Sequence, residues 1–335
     1  MSLRQILVTS PPDTLPYLVR AVEDVGCVEM QVLSATRPEG AAVLLVLSDE
    51  DNRQELLDRM QAVFGSENEG EWRITLLPVE ATIPRVEEEP EERKEVASTG
   101  LTREEIYNSV WKNARVDRNY VVFVVLSTVV AGFGMLADNV AVVVGAMVIA
   151  PLLGPNLALA VGIALGDGAL IGRAIRTNLA GVVIALGLSV LIGLLVPPDL
   201  GSQELLSRTD VGFDGMAIAL ASGAAAALSL VTGVSSALVG VMVAVALLPP
   251  TSAIGLFVGF GQPALALGAA TLLAVNVVCV NLAAQVVMMT RGITPRTFYE
   301  KKKASRSQLI SAGISVGLLL ALAGLIWWRL LHPAV

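Results

Sequence analysis

Residues 145–170 read GAMVIAPLLGPNLALAVGIALGDGAL, and residues 240–265 read GVMVAVALLPPTSAIGLFVGFGQPAL. Set side by side without gaps, they share Gly145/Gly240, Met147/Met242, Val148/Val243, Leu152/Leu247, Leu153/Leu248, Pro155/Pro250, Ala158/Ala253, Gly166/Gly261, Ala169/Ala264 and Leu170/Leu265. A shuffle of so narrow a composition would match at roughly three positions. Ser127 and Ser222 fall in the same register. Thr177-Asn178-Leu179 resembles Val275-Asn276-Val277 with a three-residue shift. Both stretches are apolar over the length of a membrane crossing, about 20 residues, and both carry prolines near the middle.

The surrounding chain continues this pattern. Apolar segments at 119–137, 139–166, 175–196, 212–230, 234–261, 264–290 and 309–331 read as seven crossings, the second and fifth interrupted. The repeat unit then covers about 119–196 and 212–290, three crossings each. Three is odd, so the second copy must lie upside down relative to the first. The expected architecture is an inverted 3+3 helix repeat with one extra helix, an arrangement many secondary transporters use.

Charge supports lipid as the solvent for this part. Of 335 residues 54% are hydrophobic and 16% charged, where a soluble chain is about a quarter charged. From 119 to 290 there is no Lys, and the charges are Asp138, Asp167, Arg173, Arg176, Asp199, Glu204, Arg208, Asp210 and Asp214. Asp138 and Asp167 fall at segment ends and read as solvated caps. Basic residues set the orientation. Lys112, Arg115 and Arg118 precede the first crossing, Arg173 and Arg176 follow the second, and Arg291 to Arg306 follow the sixth. All three groups share one side if every segment crosses once. A re-entrant second segment would put Arg173 and Arg176 on the other side. The start of the chain carries no basic-then-apolar signal, so the N-terminus is expected in the cytoplasm of a prokaryotic inner membrane and the C-terminus outside.

The prolines carry the candidate site. Pro151 and Pro155 interrupt the second crossing, and Pro249 and Pro250 the fifth. Proline removes a backbone donor and frees carbonyls, which lipid cannot satisfy. Asn156 in one repeat and Thr251-Ser252 in the other are expected to cap fresh half-helices, whose N-termini offer amides and partial positive charge. A substrate or ion site near the midplane follows, with an anion preferred. The cation alternative uses the freed carbonyls with Asn178 and Asn276. The plainer reading is that the prolines only kink packed helices.

The first 83 residues read as a soluble domain. Strands at 3–9, 28–35, 41–48 and 72–79 alternate with helices after Leu15 and after Asp51, giving βαββαβ, the ferredoxin-like order. It serves either as a docking module or as a sensor. Residues 84–101 form an acidic linker with Glu87, Glu88, Glu89, Glu91, Glu92 and Glu95. Thr102 to Glu105 matches a capping box, opening an amphipathic helix over 102–118 expected at the lipid surface. The other reading packs that helix on the soluble domain.

Several classes are excluded by what the chain lacks. The single histidine, His332, and two separated cysteines, Cys27 and Cys279, give no metal site, no cofactor site and no disulfide framework. No carboxylate or Lys lies deep in a crossing, so neither an enzyme nor a carboxylate proton relay is expected. The net charge of −7 gives no reason to expect nucleic acid. Small-residue runs such as Ser222 to Ser229 suit close helix packing and a homo-oligomer.

The run 145–155, the Gly166-Asp167 pair and Leu247-Leu248-Pro249-Pro250 resemble a prokaryotic family of multi-pass membrane proteins known as an uncharacterised hydrophobic domain, a domain of unknown function. The resemblance covers roughly residues 110–290, and the N-terminal domain is similar to that of the longer members. It implies membrane location and architecture, and it carries no activity or functional residue. The expectation is a transporter or channel-like protein for a small ion or solute. The alternative is a membrane sensor or scaffold that moves nothing.

Overall fold

A computed structural model describes residues 3–34, 42–49, 51–64, 72–80, 82, 101–198, 201–233, 237–291 and 293, with Gly313, Gly317 and Gly324 beyond them. The acidic linker and the expected seventh crossing, 309–331, lie outside the described residues apart from those glycines and the linker's last position. The chain divides into two compact units, Met1–Arg103 and Glu104–Val335.

In the first unit, β1 (Arg4–Ser10), α1 (Leu15–Val25), β2 (Glu29–Ser34), β3 (Ala42–Ser48), α2 (Arg53–Phe64) and β4 (Arg73–Pro78) follow in that order. The sheet order is β2-β3-β1-β4, with every neighbouring pair antiparallel. Alternation along β1 buries Ile6 and Val8, and along β3 Leu44 and Val46. These meet Leu18 and Val22 of α1 and Leu56, Met60 and Phe64 of α2. Phe64 also stacks on Trp72, ring centroids 4.4 Å apart. Gly26, at φ 90, ends α1 in a backbone conformation that a side chain would strain.

The second unit is helical. It contains α3 (Arg103–Asn113, its first residue belonging to the first unit), α4 (Arg118–Leu136), α5 (Val140–Ile149), α6 (Leu153–Leu165) and α7 (Gly168–Leu195). Then come α8 (Gln203–Leu206), a 3₁₀ turn (Ser207–Thr209), α9 (Phe213–Thr232), α10 (Ala237–Gly259) and α11 (Pro263–Thr290). Among the described residues, four helices (α4, α7, α9 and α11) are long and apolar enough to cross a membrane, and a fifth if the bent pair α5–α6 is one span. Large apolar side chains point outward: Val122, Phe123 and Leu126 on α4, Leu179 and Val183 on α7. Small and polar ones point inward: Ser127 and Thr128, Thr177 and Ser189. That is the burial pattern of a protein whose outer surface meets lipid.

Contacts along the helices give their directions. The Tyr120 hydroxyl, at the start of α4, donates to Thr177 O near the start of α7 (2.9 Å). Gly132, near the end of α4, faces Ile192 near the end of α7. The two helices therefore run parallel, which suits an α5–α6 pair that returns between them as one bent span. By the same reasoning α10 runs parallel to α7, because Gly255 lies against Leu186 and Ser189 and Gly259 against Val190 and Gly193. Helices α9 and α11 are parallel too, with Thr209 beside Gly268 before the one and early in the other, and Gly223 against Val280 further along both.

Candidate functional site

The second crossing breaks at Pro151. Ala150 takes an extended conformation (φ −65, ψ 124), as the residue before proline prefers, and α5 and α6 meet at 54°. Helix α6 then starts at Leu153 with Leu152 as its N-cap and no side-chain cap. Pro155 sits in that first turn, where its missing N–H costs nothing. Asn156 is consequently inside α6 and is not its cap, which corrects the expected role. Its Nδ2 donates to Leu152 O (2.7 Å) and to Asn178 Oδ1 (3.3 Å). The pair Asn156–Asn178 thus ties the first turn of α6 to α7.

The fifth crossing does not break. Helix α10 runs through Pro249 and Pro250 without interruption, so the expected second discontinuity is absent and Thr251 and Ser252 lie in mid-helix, not at a cap. The physical reason is in the aligned residues. Pro151 of the first stretch corresponds to Ala246 of the second (151 + 95 = 246), so the proline that breaks α5–α6 has no counterpart. Pro250 still frees one carbonyl, that of Ala246, four residues earlier. Asn276 of α11 fills it: its Nδ2 donates to Ala246 O at 2.9 Å, both residues being buried. Thr251 Oγ1 donates to Leu247 O (2.7 Å), and the Ser252 hydroxyl is fully buried with no hydrogen-bond partner among the described residues.

A small cavity lies where these elements meet. It is lined by Val124 and Ser127 of α4, Leu152 at the break, Gly181, Val182 and Ala185 of α7, and Leu248 and Thr251 of α10. It has room for about one water molecule. Of the expected site residues only Thr251 lines it. Asn156, Asn178 and Asn276 surround the break and the proline pair, holding carbonyls and each other. Ser127, Gly181 and Ala185 were not singled out from the sequence as site residues, although the match of Ser127 with Ser222 was a signal.

Beside the break, α3 lies along the start of α7. Ile106, Val110 and Ala114 are buried, while Lys112 and Arg115 are exposed. Ala114 O, an orphan acceptor at the end of α3, receives Arg173 Nε (2.9 Å) and Thr177 Oγ1 (3.2 Å). The Arg173 guanidinium lies 4.5 Å from the Trp111 ring, and Tyr107 stacks on Trp111. The Tyr107 hydroxyl donates to Asp167 (2.7 Å), which also caps α7 by accepting from Ala169 and Leu170 amides. Burial first, then that hydrogen bond and the carboxylate charge, push the Tyr107 phenol up to about 12. Gly154 fits tightly here, since a Cβ on it would come 2.7 Å from Asn113 Cβ. At the other end, Asp138, at φ 50, accepts from the Glu204 amide (2.7 Å) and from Ser202, so it too organises structure.

Among the described residues no group of three or more His, Cys, Asp or Glu side chains is placed to hold a metal ion. The fold and the break define a membrane-embedded helical protein that carries a small antiparallel α/β unit. Residues 147–282 match the family model described as "Domain of unknown function (DUF389)". Over 285 residues the chain is 34% identical to "Uncharacterized protein MJ0678" of Methanocaldococcus jannaschii, an alignment covering 85% of this chain and 87% of that protein. The chain belongs to this family, as its sequence resemblance implied. No solved structure matches it at a significant level.

Proposed function

We propose that the protein is a transporter or channel-like protein that moves a small ion, an anion by preference, past the junction of the α5–α6 break with α10. The observation that carries this reading is a cavity lined by hydroxyls from two helices, Ser127 and Thr251, directly at a helix break inside the apolar part of the unit. Broken backbone at membrane depth is tolerated where it is buried in protein or lines a pathway. The preference for an anion follows from the carbonyls. Those a cation would use, Leu152 O and Ala246 O, already accept amides from Asn156 and Asn276.

An inverted 3+3 repeat underlies the proposal. A constant offset of 95 supports it: α7 (168–195) and α11 (263–290) are both 28 residues long, and 168 + 95 = 263. The left-handed residues correspond as well, Asp138 with Gly233 (138 + 95 = 233) and Gly166 with Gly261 (166 + 95 = 261). With α4 and α7 parallel, α10 parallel to α7 and α9 parallel to α11, the two triplets run in opposite senses. The three-residue shift between Asn178 and Asn276 is then a difference of side chain, not of helix register. The order βαββαβ with sheet order β2-β3-β1-β4 supports a ferredoxin-like first unit. We further place the protein in a prokaryotic inner membrane as a homo-oligomer. The N-terminus is cytoplasmic, the exposed Lys112, Arg115 and Arg118 meet lipid phosphates, and the C-terminus lies outside. Catalysis forms no part of the proposal.

The second reading is a sensor or scaffold that transports nothing, with the cavity as a packing void that has room for about one water. Flux assays on purified protein in liposomes, across a panel of anions and cations, separate the two. The transport reading expects flux that Thr251→Val reduces while the protein remains folded. Absence of flux for every ion on the panel defeats it.

A further inference from the structure

We infer that the cavity beside Ser127 and Thr251 is the open member of a pseudo-symmetric pair of sites, and that it takes one dehydrated, monovalent, monoatomic anion of the halide class. The inference rests on the transport reading and inherits its preference for an anion. The offset of 95 maps Ser127 onto Ser222, and Asn156 onto Thr251 (156 + 95 = 251). The positions that the repeat relates to it are those of Ser222 and Asn156. The two differ at the floor. Gly181 and Ala185 line the open cavity. Their counterparts are Asn276 and Val280 (181 + 95 = 276, 185 + 95 = 280). Asn276 spends its amide on Ala246 O, and the backbone of Val280 lies so close to Gly223 that a Cβ there would meet Val280 O at 2.4 Å. Asn156 is likewise committed to Leu152 O and Asn178. At the related positions, then, larger side chains stand where Gly181 and Ala185 leave room. One half of an inverted pair is left to bind.

Size and lining set the class of ligand. The cavity has room for about one water, so a halide suits it and a polyatomic anion such as acetate or sulfate does not. Val124, Leu152, Val182 and Leu248 supply apolar walls, and the two hydroxyls are the polar side chains of the lining. With no ionised side chain there, only dipoles replace the hydration shell. A single charge is the most such a site can hold, since desolvation grows steeply with charge. The hydroxyls of Ser127 and Thr251 now donate to Val124 O and Leu247 O, and rotation about one bond turns either toward the ion.

The test is flux of chloride, fluoride, acetate, sulfate and potassium through the full-length protein in liposomes, for wild type, Ala185→Val and Ser127→Ala, with thermal stability measured alongside. Ala185→Val installs the residue of the closed half, and Ser127→Ala removes a hydroxyl without adding bulk. The inference expects halide flux in wild type, little or none for acetate or sulfate, and a drop of about tenfold or more in both variants at near wild-type stability, the range one misfitted group produces at a tight site. Halide flux unchanged in both variants, or acetate carried as well as chloride, overturns this inference and leaves the transport reading standing. No flux of any ion overturns both.

Discussion

Asn276 is the residue whose replacement tests the helix architecture most sharply. The Ala246 carbonyl is 5% exposed as a residue and has no donor four positions on, because Pro250 lacks an N–H. The Asn276 amide, at 2.9 Å, substitutes for that missing turn. Asn276→Leu keeps the branched shape and leaves the carbonyl bare. A buried polar group stripped of its partner costs about 1–3 kcal/mol, and measured interhelical hydrogen bonds in membranes fall toward the low end. We expect a loss of about 1–2 kcal/mol in the unfolding free energy of the full-length protein, measured by equilibrium denaturation in mixed micelles. The stronger form is a cycle with Pro250→Ala. That change returns an N–H to Ala246 O, so the asparagine becomes redundant and Asn276→Leu should cost little in its presence. The expected coupling energy is about 1 kcal/mol. Additivity of the two changes would mean that Asn276 and Pro250 act independently, and the explanation of why α10 stays whole would fail.

Further expectations rest on other contacts. Pro151→Ala should straighten the α5–α6 pair toward the form of α10, shrinking the 54° bend and lengthening spin-label distances measured between α5 and α6. Gly255→Leu should destabilise by about 1–3 kcal/mol or more, since even a Cβ there would meet Leu186 O at 2.8 Å; a stability scan near wild type would deny the close α7–α10 approach. The Tyr107 phenol sits at about 12 in the folded protein against an ordinary value of 10. The unfolded chain therefore loses this proton first, and stability present below pH 10 falls as pH rises toward 12. Tyr107→Phe should remove that part of the alkaline loss, and pH-dependent melting curves that superimpose would contradict the Tyr107–Asp167 contact.

Much of this was readable in the residues, for physical reasons. Short runs rich in Val, Leu and Ile at 3–9 and 41–48, bounded by turn residues, announced β1 and β3. The ten matched positions between 145–170 and 240–265 are plain in the sequence, and the equal lengths of α7 and α11 suit them. The site was read less well. A proline in a first helical turn and a proline that breaks a helix look alike in sequence, so Pro155 points to a start of α6 too far along the chain, with Asn156 as its cap. The continuity of α10 was hidden for another reason. It depends on Asn276, 30 residues from Ala246, and only the packing of α11 brings that amide to the bare carbonyl. Gly181 and Ala185 gave no signal, since small residues are everywhere in these helices and the space they leave exists only in three dimensions.

The opposed sense of the two triplets is the claim on which transport depends. Ala169 and Ala264 are equivalent residues, both exposed, just inside α7 and α11. Single cysteines placed there, in a chain with Cys27 and Cys279 replaced, can be labelled with a membrane-impermeant maleimide from one side at a time. The account expects label on Ala169→Cys from the face that bears Arg118 and on Ala264→Cys from the opposite face only. Labelling of both from the same face would contradict it.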